Sequence, residues 1–321
     1  MSVRDVKRVR KPKRKTRKPR ANEEARAAAT VAIEESAEAP RPKMPETLLI
    51  LLGTGTPIPE PDASGPALAI VRGGVSYLVD CGPGIVRRAM AAAQAGVPGL
   101  APPQLNRLFI THLHSDHTAG LADVMLTPWV VGRHIPLEIY GPPGTRHMVE
   151  HILAAYAEDI AIRTNGLEHG ELRAVTPVVH EYKAGIIYKD RQMKVRAFRV
   201  RHGTWPQAFG FRFEAADRTI VVSGDTRPFP GLERNYKGAD VLVHEAYCHA
   251  GFIRRTKDWQ KYHGAFHTST VQLAKIANAV QPKLLVMVHQ LLFGDTPETM
   301  MAEMESRYKG PAIYGRDLMV M

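Results

Sequence analysis

The segment Ile110–His117 concentrates metal-binding side chains, because it reads Ile-Thr-His-Leu-His-Ser-Asp-His. His112 and His114 follow an apolar, strand-like stretch, and the alternation of side chains along a strand places both on one side of the backbone. Asp116 and His117 fall in the turn that opens the next helix and point to a neighbouring position. Imidazole nitrogen and carboxylate oxygen are ligands of zinc and related metals. The spacing therefore predicts two metal ions with an open position for water, rather than a histidine-rich surface turn.

Further ligands are expected, since zinc takes about four ligands per ion. Three candidates follow predicted strands: His202 after residues 194–201, Asp225 after residues 219–224, and His289 after residues 284–288. Each residue alone would more often be structural, but together with the cluster they favour a metal site. His180 is the alternative to His202, which we prefer because it ends a strand leading into residues 210–213.

Several short motifs between about Leu48 and the C-terminus resemble those of the metallo-β-lactamase fold superfamily, and of its ribonuclease Z branch in particular. The motifs are Leu52-Gly53-Thr54-Gly55-Thr56, Val79-Asp80-Cys81-Gly82-Pro83-Gly84, the histidine cluster, Ile139-Tyr140-Gly141-Pro142-Pro143-Gly144, Ser223-Gly224-Asp225-Thr226-Arg227-Pro228, His244-Glu245-Ala246 and His267-Thr268-Ser269-Thr270. The resemblance implies an α/β fold, an αββα sandwich of two packed mixed sheets flanked by helices.

The resemblance also implies a role for each matching residue. One ion would be held by His112, His114, His202 and Asp225, and the other by Asp116, His117, Asp225 and His289. Asp225 would therefore bridge two zinc ions, with manganese as the alternative metal, and Asp116 would count among the catalytic residues as well. Asp80 would support the loops of the site, and Glu245 and His267 would help to deliver a proton to the leaving group.

General chemistry supports the same assignment. Two neighbouring dications let a shared water lose its proton near neutral pH and offset charge on a phosphoryl or carbonyl oxygen. The departing alkoxide then needs a proton, which a histidine such as His267, held by Glu245, can donate. The structural alternative for His267 is a position just before a helix that Thr268, Ser269 or Thr270 caps. Trp205, Trp129 and Phe209 are candidates for the rim of a substrate cleft, although aromatic residues more often serve packing.

One interval departs from the ribonuclease Z enzymes that grip transfer RNA with a long protruding arm. In those enzymes the arm is inserted between the third histidine and the bridging aspartate. Here only twenty-two residues separate His202 from Asp225, and a pair of predicted strands fills them. No arm fits there.

The charge of the chain is concentrated near its amino terminus. Of 321 residues, the first 20 contain eleven Lys or Arg and one acid, so they carry ten of the eleven net positive charges. With the Ala- and Glu-rich stretch that follows, they cannot bury enough apolar surface to fold alone. We predict a tail over residues 1–44 and a hydrolase domain over residues 45–321. Residues 1–20 could bind RNA or an anionic surface through phosphate contacts; a solvated extension and an upstream start codon used in place of Met44 are the alternatives.

The expected compartment is the cytoplasm. The sequence shows no secretory signal and no apolar run long enough to span a membrane. Its two cysteines, Cys81 and Cys248, are too few for a disulfide framework. The family resemblance also implies a homodimer.

The apolar patterns predict a strand-rich domain with interspersed helices. Strands are predicted at 48–52, 67–72, 75–80, 107–111, 137–140, 185–188, 193–201, 208–213, 219–223, 241–245, 284–289 and 317–321, and helices at 85–95, 118–129, 145–158, 268–280 and 297–308.

Motifs and chemistry together predict a dinuclear zinc hydrolase that cleaves a phosphodiester, like ribonuclease Z, including processing of the 3′ end of transfer RNA. The same site could instead hydrolyse another ester, such as a lactone, an aryl sulfate or a β-lactam. A reading of a different class is an RNA-binding protein with a structural metal. Structural zinc sites are usually closed, so an open site argues against that reading.

Overall fold

The computed structural model describes residues 46–321 of the chain. The predicted tail, residues 1–44, lies outside the described residues, as do the RNA contacts predicted for it. The strands are β1 Thr47–Gly53, β2 Ala67–Arg72, β3 Val75–Val79, β4 Arg107–Phe109, β5 Glu138–Gly141, β6 Val178–Glu181, β7 Gly185–Lys189, β8 Lys194–Arg199, β9 Phe209–Glu214, β10 Thr219–Val222, β11 Val241–Tyr247, β12 Leu284–Leu291 and β13 Ala312–Tyr314. The helices are α1 Ile85–Gln94, α2 Ser115–Thr118, α3 Leu121–Val130, α4 Thr145–Ala155, α5 Ala157–Asn165, α6 Leu172–Val175, α7 Glu233–Tyr236, α8 His249–Ile253, α9 Lys257–Phe266, α10 Thr270–Val280 and α11 Pro297–Glu305.

The strands form two mixed sheets. The first has the order β1-β2-β3-β4-β5-β6, and the second has the order β13-β12-β11-β10-β9-β8-β7. In each sheet an antiparallel part adjoins a parallel part, which runs from β3 to β6 in the first and from β10 to β13 in the second. The predicted αββα architecture is confirmed.

Strand β1 shows how the layers pack, because both of its faces are buried. Leu49 and Leu51 belong to the core between the sheets, where they join residues such as Phe211. Ile50 and Leu52 point the other way, into the core that the first sheet shares with helices α1 and α3. Successive side chains of a strand face opposite sides, so an uninterrupted apolar run is what a strand covered on both faces requires. A third core lies between the second sheet and helices α10 and α11.

The predicted final strand, residues 317–321, is wrong. The strand that pairs in parallel with β12 is β13, which ends at Tyr314. The last residues run beside β1, with hydrogen bonds from Leu318 N to Leu51 O at 2.6 Å and from Met321 N to Leu49 O at 2.9 Å. Leu318 has a φ of 66°, which interrupts an extended conformation. The carboxylate of Asp317 accepts hydrogen bonds from Thr54, so the chain bends there to bind the loop after β1.

Two predicted helices are divided, and several elements were not predicted. The helix expected at 118–129 is split into α2 and α3 at Gly120, whose N–H donates to Cys81 O at 2.8 Å. A Cβ at Gly120 would lie 2.6 Å from the carbonyl oxygen of Gly82, so only glycine permits this close approach. The helix expected at 145–158 ends at Ala155 and is followed by α5. Strand β6 and helices α6, α7, α8 and α9 were not predicted. Within residues 46–321, no helix is both long and apolar enough to cross a membrane.

Arg133 is the largest charged side chain buried in the described chain, with 1% exposure. Its guanidinium donates to the carbonyl oxygens of Val124 at 2.9 Å and Met125 at 2.6 Å, and to Leu105 at 3.2 Å and Ala174 at 3.4 Å. It therefore joins the end of α3 to the loop before β4 and to α6. Burial lowers the pKa of Arg133 to about 10, which leaves the group charged at neutral pH.

We expect Arg133→Met to lower the free energy of unfolding by about 3 kcal/mol, because several buried carbonyl groups lose a charged donor. Urea denaturation monitored by circular dichroism measures this loss. Arg87→Met is the matched control, because its side chain is 86% exposed, and it should change stability by less than about 0.5 kcal/mol. Equal stabilities of the two variants would contradict a structural role for Arg133.

Candidate metal centre

Seven side chains with metal-binding atoms meet at one edge of the sandwich. His112 and His114 lie in the loop after β4, and Asp116 and His117 lie in α2. The remaining three come from the second sheet: His202 follows β8, Asp225 follows β10, and His289 lies in β12. The structure thus brings together all the residues predicted as ligands, from both sheets.

Three histidines converge on one point. The distance from His114 Nδ1 to His112 Nε2 is 3.0 Å, and to His202 Nε2 it is also 3.0 Å. The other ring nitrogens of His112 and His202 are taken: they lie 3.0 Å from Thr111 Oγ1 and 2.9 Å from Phe266 O. A carbonyl oxygen only accepts, so His202 Nδ1 carries the proton and Nε2 presents a lone pair. The three inner nitrogens therefore suit a shared cation.

A second group of ligand atoms lies beside the first. His117 Nε2 is 3.5 Å from Asp116 Oδ2 and 3.4 Å from Asp225 Oδ2. His289 Nε2 is 3.2 Å from Asp116 Oδ2 and 3.5 Å from Asp225 Oδ2. Asp225 Oδ2 is also 3.8 Å from His202 Nε2, so this carboxylate faces both groups.

The orientation of His117 is fixed by Asp80. His117 Nδ1 donates to Asp80 Oδ2 at 2.8 Å, and Asp80 also accepts from the backbone N–H and the hydroxyl of Thr111. The inner nitrogen, His117 Nε2, is buried and has no hydrogen-bond partner. A carboxylate that holds the outer nitrogen of a ligand histidine is the usual support of a metal site. The arrangement fits the predicted role of Asp80.

The electrostatics of the site favour positive charge among these ligands. Burial lowers the pKa of His112 well below its usual value, and the neighbouring His117 adds to this effect, so the ring is neutral. Burial alone would raise the pKa of Asp225, but His289 and His117 outweigh burial and hold the pKa well below the usual range. Burial alone would lower the pKa of His117 and of His289, but Asp225 outweighs burial and raises both, so positive charge is favoured between these rings and the carboxylate. A metal would replace those protons, because it binds neutral imidazole and ionised carboxylate. An unpaired nitrogen and converging lone pairs therefore fit the metal that this donor set implies.

Unusual backbone conformations hold the site in place. Asp80 has a φ of 56° and His289 a φ of 47°, in the left-handed region that non-glycine residues seldom occupy. Gly224, with a φ of 59°, precedes Asp225, and a Cβ there would lie 2.4 Å from Phe209 O. Gly203, with a φ of 52°, follows His202, and a Cβ there would meet the ring of Phe266 at 2.0 Å. Only glycine permits these two turns.

Glu245 and His267 form a buried pair beside the ligands. Glu245 Oε2 is 3.3 Å from His267 Nδ1, and Oε1 accepts the backbone N–H groups of Thr226 at 3.3 Å and Thr268 at 2.9 Å. Burial, together with the negative charge of Asp225, raises the pKa of Glu245 well above its usual value. Burial lowers the pKa of His267 to about 4. The ring of His267 stacks on that of His289, with centroids 5.5 Å apart.

The helix cap that was the structural alternative for the segment at His267 is also present. Ser269 caps α10: its hydroxyl accepts the N–H of Gln272, and the Gln272 side chain accepts the N–H of Ser269. His267 lies two residues before this cap and is free to point into the site.

The three aromatic rim candidates have different places. Trp205 lies over the site, with its ring centroid 4.3 Å from that of His114. Trp129 and Phe209 are 6% and 1% exposed and belong to the core, so they are not at a rim. His263 is 8% exposed, and its ring lies against that of Phe293 with centroids 4.4 Å apart and an interplanar angle of 50°.

Sequence reasoning missed Asp317. This carboxylate accepts the N–H groups of Thr54 at 2.9 Å and Ser64 at 2.8 Å, and it pairs with Arg88 at 3.1 Å. Thr54 O in turn accepts the N–H of His289 at 3.0 Å, so Asp317 supports the predicted ligand His289 indirectly, through Thr54. No motif marks Asp317, because Thr54 and Ser64, whose N–H groups it accepts, lie more than 250 residues away in sequence.

Comparison with known proteins identifies the class to which this fold and site belong. A family described as "Beta-lactamase superfamily domain" matches residues 76–290, a range that contains all seven predicted ligands. Among solved structures, the metallo-β-lactamase fold protein YhfI from Bacillus subtilis superimposes with a TM-score of 0.65 at 16% identity, covering 86% of this chain and 99% of that one. The chain is a metallo-β-lactamase-fold hydrolase.

Proteins with similar sequences identify the family within this superfamily. Ribonuclease Z of Mycobacterium bovis (strain BCG / Pasteur 1173P2) is 38% identical over 245 residues, which cover 75% of this chain and 85% of the relative. Ribonuclease Z of Mycobacterium marinum is 37% identical over 245 residues, with the same coverage. The short form of human tRNase Z superimposes with a TM-score of 0.64 at 24% identity, covering 85% of this chain and 98% of that one. The chain belongs to the ribonuclease Z family and is a metal-dependent phosphodiesterase of that type. Membership of an enzyme family argues against an RNA-binding protein with a structural metal.

We expect the protein to bind about two metal ions per chain and Asp225→Asn to weaken both sites, since this carboxylate faces both groups of ligands. Inductively coupled plasma mass spectrometry after dialysis measures the bound metal. Asp258→Asn, at an exposed carboxylate, is the control and should keep the full content. A wild-type content of one ion that Asp225→Asn leaves unchanged would rule out a shared dinuclear centre.

Proposed function

We propose that this protein is an endoribonuclease that cleaves a phosphodiester of precursor RNA, with the 3′ end of precursor transfer RNA as its substrate. The observation that carries the proposal is Asp225, whose carboxylate lies within 3.8 Å of nitrogens from both groups of histidines. The family relatives named ribonuclease Z supply the substrate class. Cleavage of a precursor transfer RNA by the metal-loaded protein, at one site next to the acceptor stem, tests it directly.

The proposed metals are two zinc ions, with manganese as the alternative. His112, His114, His202 and Asp225 would hold one, and Asp116, His117, Asp225 and His289 the other. Bound there, the ions would lower the pKa of water to give a nucleophile at neutral pH and would offset charge on the phosphoryl oxygens. Imidazole and carboxylate donors suit zinc, which leaves a position open in catalytic sites.

The residues of the chain have distinct tasks in this scheme. Asp80, Thr111 and the carbonyl of Phe266 fix the outer ring nitrogens, so that the inner nitrogens keep one orientation. His267 would donate a proton to the departing oxygen, and Glu245 would hold His267 Nδ1. Asp116, which is partly exposed and lies 3.2 Å from His289 Nε2, would act as ligand and catalytic residue. The ring of Trp205 lies against that of His114, with centroids 4.3 Å apart, and would form part of the rim of the site.

The partners and compartment follow from the same proposal. RNA would be the substrate, and residues 1–20 would add phosphate contacts. A homodimer is proposed from the family resemblance. A cytoplasmic location agrees with an RNA substrate and with Cys81 and Cys248, which are both free thiols.

A second candidate is hydrolysis of a smaller phosphodiester or another ester, such as a lactone, an aryl sulfate or a β-lactam. The observation in its favour is the short interval between His202 and Asp225, which strands β9 and β10 fill as an antiparallel pair. No protruding arm lies there. A panel of bis-p-nitrophenyl phosphate, a lactone, an aryl sulfate and precursor transfer RNA separates the two candidates.

If His267 donates the leaving-group proton, His267→Ala should retain metal but slow poor leaving groups by roughly 10²–10⁴-fold. Activated nitrophenyl esters should lose far less, because their leaving groups need no proton. Steady-state kinetics on the precursor RNA and on bis-p-nitrophenyl phosphate measure the difference. His180→Ala, at an exposed residue of β6, is the control. Equal losses on both substrates would assign His267 to structure.

Removal of the basic tail tests its contribution to RNA binding. A chain that begins at Met44 should bind transfer RNA more weakly, and the dependence of log affinity on log salt should become shallower by up to about 0.9 per lost phosphate contact. Turnover of bis-p-nitrophenyl phosphate should stay the same, since all proposed ligands follow residue 111. Affinities at several salt concentrations give the slopes. Identical slopes for both chains would show that the tail does not touch phosphate.

A further inference from the structure

A groove of about 1190 Å³ adjoins the metal centre. Its walls include Thr54 and Gln290, which neighbour His289 in space and in sequence, and Trp259, Tyr262 and His263 of helix α9. Thr54 O accepts the backbone N–H of His289 at 3.0 Å, so a wall residue of the groove is hydrogen-bonded to a predicted ligand. The groove therefore lies next to the site, within reach of an extended substrate bound there.

Helix α9 lines the groove with a row of flat side chains four residues apart. Arg255 lies over the ring of Trp259 at 5.4 Å, and Trp259 stacks on His263 with centroids 5.5 Å apart and an interplanar angle of 22°. His263 is 6.1 Å from His267, which in turn stacks on His289. Residues four apart on a helix share one face, so the row runs from the surface to the metal centre. Trp259 lies about 10 Å along the helix from its end at Phe266.

The outer end of this row is exposed. Trp259 is 48% exposed and Tyr262 is 44% exposed, although large aromatic rings usually bury most of their surface. The segment 254–264 carries four Lys or Arg and one acid, interleaved with these rings. Aromatic rings beside basic side chains are the means by which proteins bind single-stranded nucleic acid: bases stack on the rings, and phosphates lie near the cations.

The charges of the groove itself favour a base over a phosphate. Arg88 is neutralised by Asp317, which lies 3.1 Å away. Arg255 and Arg316 line the groove together with Glu60 and Asp62, and Asp295, which also lines it, pairs with Arg254 at 2.7 Å. The charges are therefore close to balanced. The free cations, Lys257 and Lys261, are exposed and do not line the groove. A nucleotide would thus place its base in the groove and its phosphate outside it.

We propose that Trp259, flanked by Arg255 and Tyr262, is a stacking site for an unpaired nucleotide that flanks the bond cleaved in the RNA substrate. This site rests on the RNA substrate proposed above. It would set the register of the single-stranded part of the substrate relative to the metals. It would also supply specificity from α9 in a chain that has no arm between His202 and Asp225.

The test combines a variant with an altered substrate. Loss of one stacked base costs about 1–3 kcal/mol, so Trp259→Ala should lower kcat/KM for precursor transfer RNA roughly 5- to 150-fold. A precursor with an abasic nucleotide at the stacked position should lower wild-type kcat/KM by a similar factor, and a scan of abasic positions on both sides of the cleaved bond finds it. The variant and the abasic substrate together should lose no more than either alone. Trp259→Phe should restore most of the activity.

Two controls separate stacking from other effects. Bis-p-nitrophenyl phosphate is too small to reach Trp259, so its turnover should be unchanged in Trp259→Ala. Tyr156→Ala, at another exposed aromatic residue, should not affect the precursor. The salt dependence of RNA binding should keep its slope in Trp259→Ala and become shallower in a Lys257→Ala and Lys261→Ala double variant, because only phosphate contacts release counterions.

The outcomes distinguish this inference from the proposed function. Additive losses from Trp259→Ala and every abasic position, or equal loss on bis-p-nitrophenyl phosphate, would overturn the stacking site. Binding of the free 3′ trailer RNA or of mature transfer RNA, followed by tryptophan fluorescence, is a readout independent of cleavage and should show weaker quenching in Trp259→Phe. Quenching that depends on Trp259 without cleavage of any precursor would support the site and refute the proposed function. Cleavage that is unaffected by Trp259→Ala would support the proposed function and refute the stacking site.

Discussion

The structure depends on the burial of several electron-rich atoms in one place. Three imidazole nitrogens lie close together, because His112 Nε2 and His202 Nε2 are each 3.0 Å from His114 Nδ1. The outer nitrogens of His112 and His202 have partners elsewhere. Lone pairs that face one another in a buried site repel, and buried carboxylates without partners are costly. A dication removes both penalties. The remaining contacts of the site, from Asp80 to the carbonyl of Phe266, serve to keep these atoms aimed at a common centre.

Both sheets contribute ligands to the site. The first sheet supplies four ligands from one short segment after β4, so their relative positions are set locally by the turn into α2. The second supplies single ligands at the ends of β8 and β10 and in β12. The positions of Asp225 and His289 depend on the parallel pairing of β10, β11 and β12, and that of His202 depends on the antiparallel pairing of β8 with β9. Gly224 and the left-handed conformation of His289 complete the arrangement. The site is therefore sensitive to the packing of the sheets on each other through the core around Leu49, Leu51 and Phe211.

Most of the fold and the grouping of the seven ligand candidates could be predicted from the sequence, for a physical reason. Strands with strong apolar patterns, such as β10 and β12, carry polar residues near or just beyond their carboxyl ends, and strand ends that share a sheet edge bring those residues together. The prediction errors occur where contacts between residues distant in sequence determine the local structure. The predicted strand at 317–321 failed because Asp317 turns toward Thr54 and Ser64, and the predicted helix at 118–129 broke because Gly120 packs on the loop at Cys81. Helices α8 and α9 contain few aliphatic side chains, so their sequence gives only a weak helical pattern. In the structure, His263 of α9 packs against Phe293 and His267.

Helix α9 extends from exposed residues at the protein surface to residues that contact the predicted metal ligands. The helix lies in the chain between Glu245 and His267, and its last residues hold the third histidine: Phe266 O accepts from His202 Nδ1 at 2.9 Å, and Ala265 O accepts from Gly203 N at 2.9 Å. A displacement of α9 would therefore move His202 and His267 together. In ribonuclease Z enzymes with an arm, substrate contacts lie on a separate protrusion, whereas here exposed aromatic and basic residues, Trp259, Tyr262 and Lys261, belong to the helix that positions the site. Binding of RNA along α9 would act directly on the geometry of the metal ligands, so affinity and catalytic rate should be more closely coupled in this chain than in enzymes that hold their substrate at a distance.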